Sequence, residues 1–194
     1  MSKRKVEPRR KLVVVGDGGC GKTCLLQVFS GKPFDDRYVP TVFQNFCSEI
    51  EVNGKLHELT LWDTAGQEEF DRLRPLSYDK VNIILICFSY DSPASLENVS
   101  SKWIPELHQL CAGVPYLLVG CKLDVKNDSA FVQELEEKGG KLVTREEAES
   151  VAKTVGASRF IECSAKGGIG IKEVFTAAVE SSIEPKKAKV CSLM

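Results

Sequence analysis

The stretch Gly16-Asp17-Gly18-Gly19-Cys20-Gly21-Lys22-Thr23 constrains this chain more than any other feature. It fits the spacing G-x-x-x-x-G-K-[S/T] and lies between an apolar run, Lys11–Val15, and a helix-like segment, Lys22–Phe29. A strand, a glycine-rich turn and a helix in that order build a phosphate cradle. The glycines let successive N–H groups turn inward, and the helix start adds the positive end of its dipole. Gly18, Gly19, Cys20, Gly21, Lys22, Thr23 and Cys24 are therefore candidate nucleotide-binding residues. Lys22 would span the β- and γ-phosphates, and the Thr23 hydroxyl would ligate Mg²⁺.

Such a loop needs a sheet behind it. Apolar runs alternating with helix-like segments predict an α/β fold, with a mostly parallel sheet and helices on both faces. Six strands are expected, at Lys11–Val15, Phe46–Val52, Lys55–Trp62, Ile83–Ser89, Tyr116–Cys121 and Arg159–Cys163. Asn53-Gly54 marks a tight hairpin between the second and third, which makes that pair the antiparallel edge. Helices are expected at Lys22–Phe29, Glu69–Tyr78, Ser95–Leu110, Arg145–Val155 and Ile171–Ile183. Ser92-Pro93 reads as a cap with proline at the first helical position, and Thr144 with Glu147 reads as a capping box. Pro105 should kink its helix or mark the true first turn.

At 194 residues the chain suits one compact domain. A net charge of −1 carries no basic excess of the kind nucleic-acid binding needs. No apolar run approaches the roughly 18 residues of a membrane span, and the N-terminus lacks a signal-type segment. Without such a segment the eight cysteines read as reduced thiols of a cytosolic protein, and no Cys-x-x-Cys or histidine spacing suggests zinc. Residues 1–10 read as a basic, flexible extension.

The segment Leu61-Trp62-Asp63-Thr64-Ala65-Gly66-Gln67-Glu68-Glu69-Phe70 narrows the chemistry. Asp63 at a strand end can hold a Mg²⁺ water, the Gly66 N–H can reach a γ-phosphate, and Gln67 can orient an attacking water. This motif resembles the Ras superfamily of small GTPases. Trp62 before the Asp, with Tyr38-Val39-Pro40-Thr41-Val42-Phe43-Gln44-Asn45-Phe46 upstream, resembles its Rho family. The resemblance implies a GTPase G domain over residues 11–183, with GTP or GDP and Mg²⁺ as ligands. It further implies that Thr41 binds Mg²⁺ and senses the γ-phosphate, that Phe34 packs on the base, and that Tyr38 closes over the phosphates. Tyr38 to Gln44 would be the effector loop; Gln44 stands where Glu is common in Rho proteins, which leaves effector choice open. Gly18 matches a position where a side chain would crowd Gln67 and an incoming arginine. Arg37 reads as a solvated loop charge, so that arginine should come in trans.

At the base end, Asp124 can accept from guanine N1–H and the 2-amino group, a donor pair adenine lacks. The stem of Lys122 would lie along the ring face. Ser164-Ala165-Lys166 matches the family's last motif, in which the Ala165 N–H meets the guanine O6. Cys121 departs from the family's Asn. That Asn mainly tethers the base loop to its neighbours, so the departure should affect how fast nucleotide leaves, not which nucleotide binds. Residues 127–143 occupy the place of a Rho-type insert, and the sequence leaves open whether it is helical. Residues 184–194 form a lysine-containing tail ending Cys191-Ser192-Leu193-Met194, a pattern for farnesylation of Cys191 with the lysines as a second signal for an anionic membrane. The resemblance implies exchange factors, GTPase-activating proteins, a RhoGDI-type chaperone and effectors such as formins or kinases. It also implies a monomeric G domain in the cytoplasm and at the cytoplasmic face of membranes, acting on the actin cytoskeleton. The alternative is a hydrolysis-deficient relative that stays GTP-bound as a binding module.

Overall fold

The computed structural model describes residues 6–37 and 43–183. Its centre is a sheet of six strands: β1 Val6–Gly16, β2 Phe43–Val52, β3 Lys55–Thr64, β4 Ile83–Ser89, β5 Tyr116–Cys121 and β6 Phe160–Glu162. Their order is β2-β3-β1-β4-β5-β6. The β2–β3 pair is antiparallel and every other pairing is parallel, as the sequence predicts. Asn53 and Gly54 both take positive φ, 52° and 73°, which is what closes this hairpin in two residues.

Alternation along the strands divides the core. Leu12 and Val14 of β1 pack on one face with Leu25 and Leu26 of α1 (Lys22–Phe29) and Val174, Phe175 and Val179 of α6 (Ile171–Ile183). Val13 and Val15 point the other way, toward Trp103, Leu107, Ala148 and Ala152. Those residues belong to the covering layer, which is built by α2 (Pro93–Asn98), the turn Val99–Trp103, α3 (Ile104–Leu110) and α5 (Arg145–Val155). With both faces covered, a strand such as β4 is buried along its whole length and reads as an apolar run up to its last residue, Ser89.

Two caps stand where the sequence puts them. The Ser92 hydroxyl accepts from the Ser95 N–H, and Thr144 and Glu147 form a reciprocal capping box on α5. Pro105 is the second residue of α3, and the turn before it, Val99–Trp103, is a π-type turn. A proline with no N–H to give back to residue 101 displaces the ladder locally.

Three expectations need correction. Glu69–Tyr78 is not a helix but two 3₁₀ turns, Glu68–Phe70 and Arg74–Tyr78. Pro75 disfavours helical backbone at Arg74 and removes a donor. The segment is anchored by a buried arginine instead of an apolar stripe. Arg74 donates to the Ala65 carbonyl (3.1 Å), Glu106 (2.7 Å) and Asp71, and stacks 4.6 Å from the Trp103 ring centre. Second, the first strand starts at Val6, so residues 6–10 are not a loose extension. They pair with Leu56–Leu59 across a bulge, Arg9 ion-pairs with Glu58, and Arg10 donates to the Ser182 hydroxyl. A charged run at the end of a sheet has no apolar signature to announce it. Third, the strand ends differ from expectation by one to three residues: β2 starts at Phe43, β3 runs to Thr64, and β6 is trimmed to Phe160–Glu162. The insert, left open by the sequence, contains a helix, α4 (Ser129–Glu137). Asp128 caps it by accepting from the Phe131 N–H, and Gly139 at φ 73° ends it.

Candidate functional site

The glycine-rich loop joins the C-terminal end of β1 to the start of α1. Gly16, Gly19 and Gly21 have φ of 139°, 75° and 101°, conformations that admit little but glycine. A side chain on Gly16 would collide with the Cys87 carbonyl. Inside the loop the Lys22 ammonium is buried and donates to the carbonyls of Gly16 (2.8 Å) and Asp17 (2.7 Å). The Asp17 carboxylate is itself held by Asn98 Nδ2 (2.7 Å) and Trp103 Nε1 (2.8 Å). Sequence reasoning missed this anchor, because its partners lie more than 80 residues away on the opposite layer.

Thr23 and Asp63 meet where the β1 loop and the end of β3 converge: Thr23 Oγ1 donates to Asp63 Oδ2 at 2.6 Å. Asp63 Oδ1 is buried with no hydrogen-bond partner. Burial raises the Asp63 pKa, with the Thr23 hydroxyl and Lys22 opposing it. A buried carboxylate with an orphaned oxygen beside a hydroxyl is an all-oxygen donor set that suits a hard divalent cation such as Mg²⁺. Gly66 lies so close to the glycine-rich loop that a side chain there would collide with the backbone of Gly16 and Asp17. Gln67 follows in extended conformation, and a Cβ on Gly18 would sit 3.5 Å from its Cγ and Cδ. The structure thus brings Gly18, Lys22, Thr23, Asp63, Gly66 and Gln67 to one place.

The base end is built by the loops after β5 and β6. Lys122 takes φ 58°, and its ammonium pairs with Asp91 at 2.8 Å. Asp124 accepts from the Ser164 hydroxyl, which also accepts from the Gly167 N–H (2.8 Å). Ser164 is therefore a support behind Asp124, and it does not itself line the cleft. Likewise the Cys20 side chain turns into the core, so only the backbone of that residue is available to a ligand. Cys121 sits against Gly21 and has its sulfur 4.0 Å from that of Cys163. A second tether lies behind this loop: Glu162 accepts from Lys126 (3.2 Å) and the Tyr90 hydroxyl, and pairs with Arg145. Burial would raise the Glu162 pKa, but Tyr90, Lys126 and Arg145 outweigh it and hold the carboxyl below its usual range.

These two ends open into one cleft of about 910 Å³. At one end it is lined by Gly18, Gly19, Lys22, Thr23, Gly66 and Gln67; at the other by Cys121, Lys122, Asp124, Ala165, Lys166 and Phe34. Cys24 and Gln44 also reach it. So does Phe131 of the insert helix, which no local motif in the sequence singled out. Arg37 pairs with Asp35 at 2.7 Å, holding that carboxyl down to about 2. Its side chain is 82% exposed. Phe43 packs edge-on against Trp62 at the start of β2. Tyr38, Val39, Pro40, Thr41 and Val42, and Cys191 with the tail, lie outside the described residues.

The arrangement offers an ammonium and inward-turned backbone for polyphosphate, oxygen ligands for a cation, an amide beside them, and a carboxylate at the far end of the cleft. Comparison with known proteins agrees with that inventory. The Ras family profile matches residues 11–184. "GTP-binding protein RHO1" of Saccharomyces cerevisiae is 57% identical over 178 residues, covering 92% of this chain and 85% of that protein. "GTP-binding protein RHO1" of Candida albicans is 55% identical, covering 94% and 92%. "GTP-binding protein rho5" of Schizosaccharomyces pombe is 51% identical, covering 97% and 98%.

Proposed function

This chain belongs to the Ras family and is a Rho-type small GTPase, and from that premise we propose that it works as a slowly hydrolysing GTP/GDP switch at the cytoplasmic face of membranes. The observation that carries the reading is one cleft holding Gln67 against Gly18 at its phosphate end and Asp124, braced by Ser164, at its base end. Asp124 selects guanine by accepting from N1–H and the 2-amino group. With ATP, the base would cover the half-buried carboxylate without supplying those donors, a cost that rejects adenine.

The reaction is in-line attack of water on the γ-phosphate, in which the protein supplies position and charge. Lys22 exchanges the Gly16 and Asp17 carbonyls for phosphate oxygens and balances the charge that develops there. Gln67 orients the water. Thr23, Thr41 and, through water, Asp63 would hold Mg²⁺, which when bound neutralises charge on the β- and γ-phosphates. Arg37 is engaged with Asp35 and exposed, so the charge-stabilising arginine comes in trans from a GTPase-activating protein and unaided turnover is slow. Loss of the γ-phosphate releases Thr41 and Gly66, and partners then meet a changed surface. Those partners are exchange factors, activating proteins, a RhoGDI-type chaperone and effectors such as formins or kinases, with actin organisation as the output. A farnesyl group on Cys191, with Lys186, Lys187 and Lys189, supports attachment to an anionic leaflet.

The test is the nucleotide found on the protein after incubation with GTP and an activating protein. Wild type should carry GDP, while Gln67→Leu and Gly18→Val should carry GTP. Wild type that retains GTP as they do would favour the permanently loaded binding module instead.

A further inference from the structure

Beneath the base end of the cleft, four thiols share one part of the core: Cys20, Cys87, Cys121 and Cys163, all free. Only Cys121 and Cys163 also line the cleft. Cys121 ends β5, and Cys163 follows β6. The two strands pair in parallel with Gly120 opposite Glu162, so the cysteines occupy the next facing positions. Backbone bonds lock this register on both sides, from Cys163 N–H to the Gly120 carbonyl (2.7 Å) and from Leu123 N–H to the Cys163 carbonyl (3.0 Å). Neighbouring strands stand about 4.8 Å apart, within the roughly 4.4–6.8 Å that a disulfide spans between Cα atoms. The sulfurs are 4.0 Å apart, a gap that side-chain rotation can close without moving the backbone.

We propose that Cys121 and Cys163 form a peroxide-oxidisable dithiol in the floor of the guanine end, closing to a disulfide that ties the base loop to the Ser164-Ala165-Lys166 loop. Cys121 is the attacking sulfur. Hydrogen bonds from the Cys163 and Cys87 thiols, with Lys22 and Lys122 nearby, hold its pKa well below the ordinary thiol range despite burial. The bond to Cys121 and burial push Cys163 the other way, which suits the resolving partner. The Cys121 thiolate attacks one peroxide oxygen, forming an S–O bond as the O–O bond breaks and hydroxide leaves. That hydroxide takes the Cys163 thiol proton to give water. The Cys163 thiolate then attacks the Cys121 sulfenic sulfur, forming the S–S bond as the S–O bond breaks. The second hydroxide takes up the proton Cys121 lost on ionising. Two thiols and one peroxide become one disulfide and two waters, and a thiol reductant reverses the change. Bound guanine covers this floor, so oxidation belongs to the interval when the site is empty. Only that protection rests on the guanine reading; the pairing does not.

The experiment compares full-length protein stripped of nucleotide by a chelator with the same protein loaded with GDP and Mg²⁺. Both receive the same dose of hydrogen peroxide. Remaining thiols are alkylated, and disulfide-linked peptides are mapped without reductant. A Cys121–Cys163 linkage in the stripped protein, several-fold weaker in the loaded one and lost on reduction, is expected. In Cys163→Ser, the expected product is a sulfenic acid trapped at Cys121 by dimedone; the wild-type map stands even if that variant fails to fold. Cys24, whose thiol burial pushes up, is an internal competitor. Oxidation at Cys24 or Cys47 with Cys121 and Cys163 both still alkylated would overturn the proposal. So would linkage of Cys121 to Cys20 or Cys87. Equal Cys121–Cys163 linkage with and without GDP would support the pairing and refute the protection by bound guanine.

Discussion

Cys121→Asn should slow GDP release. The thiol now contributes sulfur contacts at 4.0 Å, and sulfur is a weak donor and acceptor. Cys121 lies against the phosphate loop: a Cβ placed on Gly21 would be 3.3 Å from the Cys121 Cβ. An asparagine amide at this point is within reach of that loop and of the backbone around Cys163. One neutral hydrogen bond contributes about 0.5–1.5 kcal/mol net. If the bond is present with nucleotide bound and lost in the barrier to release, the rate falls about two- to twelvefold. The assay is release of a fluorescent GDP analogue chased by excess GDP at fixed Mg²⁺, wild type beside variant. Selectivity for GDP over ADP should not change, because Asp124 and its Ser164 support are untouched. Equal or faster release from the variant would refute the tether argument. It would mean the amide is buried without a partner, at a cost of about 1–3 kcal/mol.

Arg74→Ala should destabilise the fold by about 3 kcal/mol or more in urea denaturation. It strips a partner from Glu106, whose side chain is only 17% exposed, and leaves a cavity beside Trp103. A change under about 0.5 kcal/mol would show that the segment around Arg74 is held by something else. Glu162→Gln should cost about 1.5–3 kcal/mol at pH 7, since it removes the charge that Lys126 and Arg145 face. The Glu162 carboxyl titrates lower in the folded chain, so its stabilisation is complete above the unfolded value of about 4.3 and fades as pH falls through the folded value. The gap between wild type and variant should therefore narrow in acid; a gap independent of pH would contradict the ion-pair account.

What could be read from the sequence was local. The glycine-rich loop, the Asp63–Gln67 run and the Thr144 capping box each carry their geometry in a few consecutive residues, and the structure holds all of them in that form. The Asn53-Gly54 hairpin was legible for the same reason. Asp17 was not, because its role depends on Asn98 and Trp103 from another layer. Glu69–Tyr78 misled because charged and apolar residues alternate there as on a helix. The buried Arg74 and the following Pro75 override that pattern, and both act through contacts or backbone restrictions that periodicity does not register. Phe131 reaches the cleft because the insert folds into a helix, and whether so short an acidic stretch would do so depends on its Asp128 cap and its packing.

The central claim is that one cleft reads guanine and hydrolyses the γ-phosphate. It is tested most directly by a single-turnover measurement of phosphate release, with wild-type protein and either GTP or ATP under the same conditions. The account predicts slow release from GTP and none above background from ATP. No release from GTP, or comparable release from both, would contradict it.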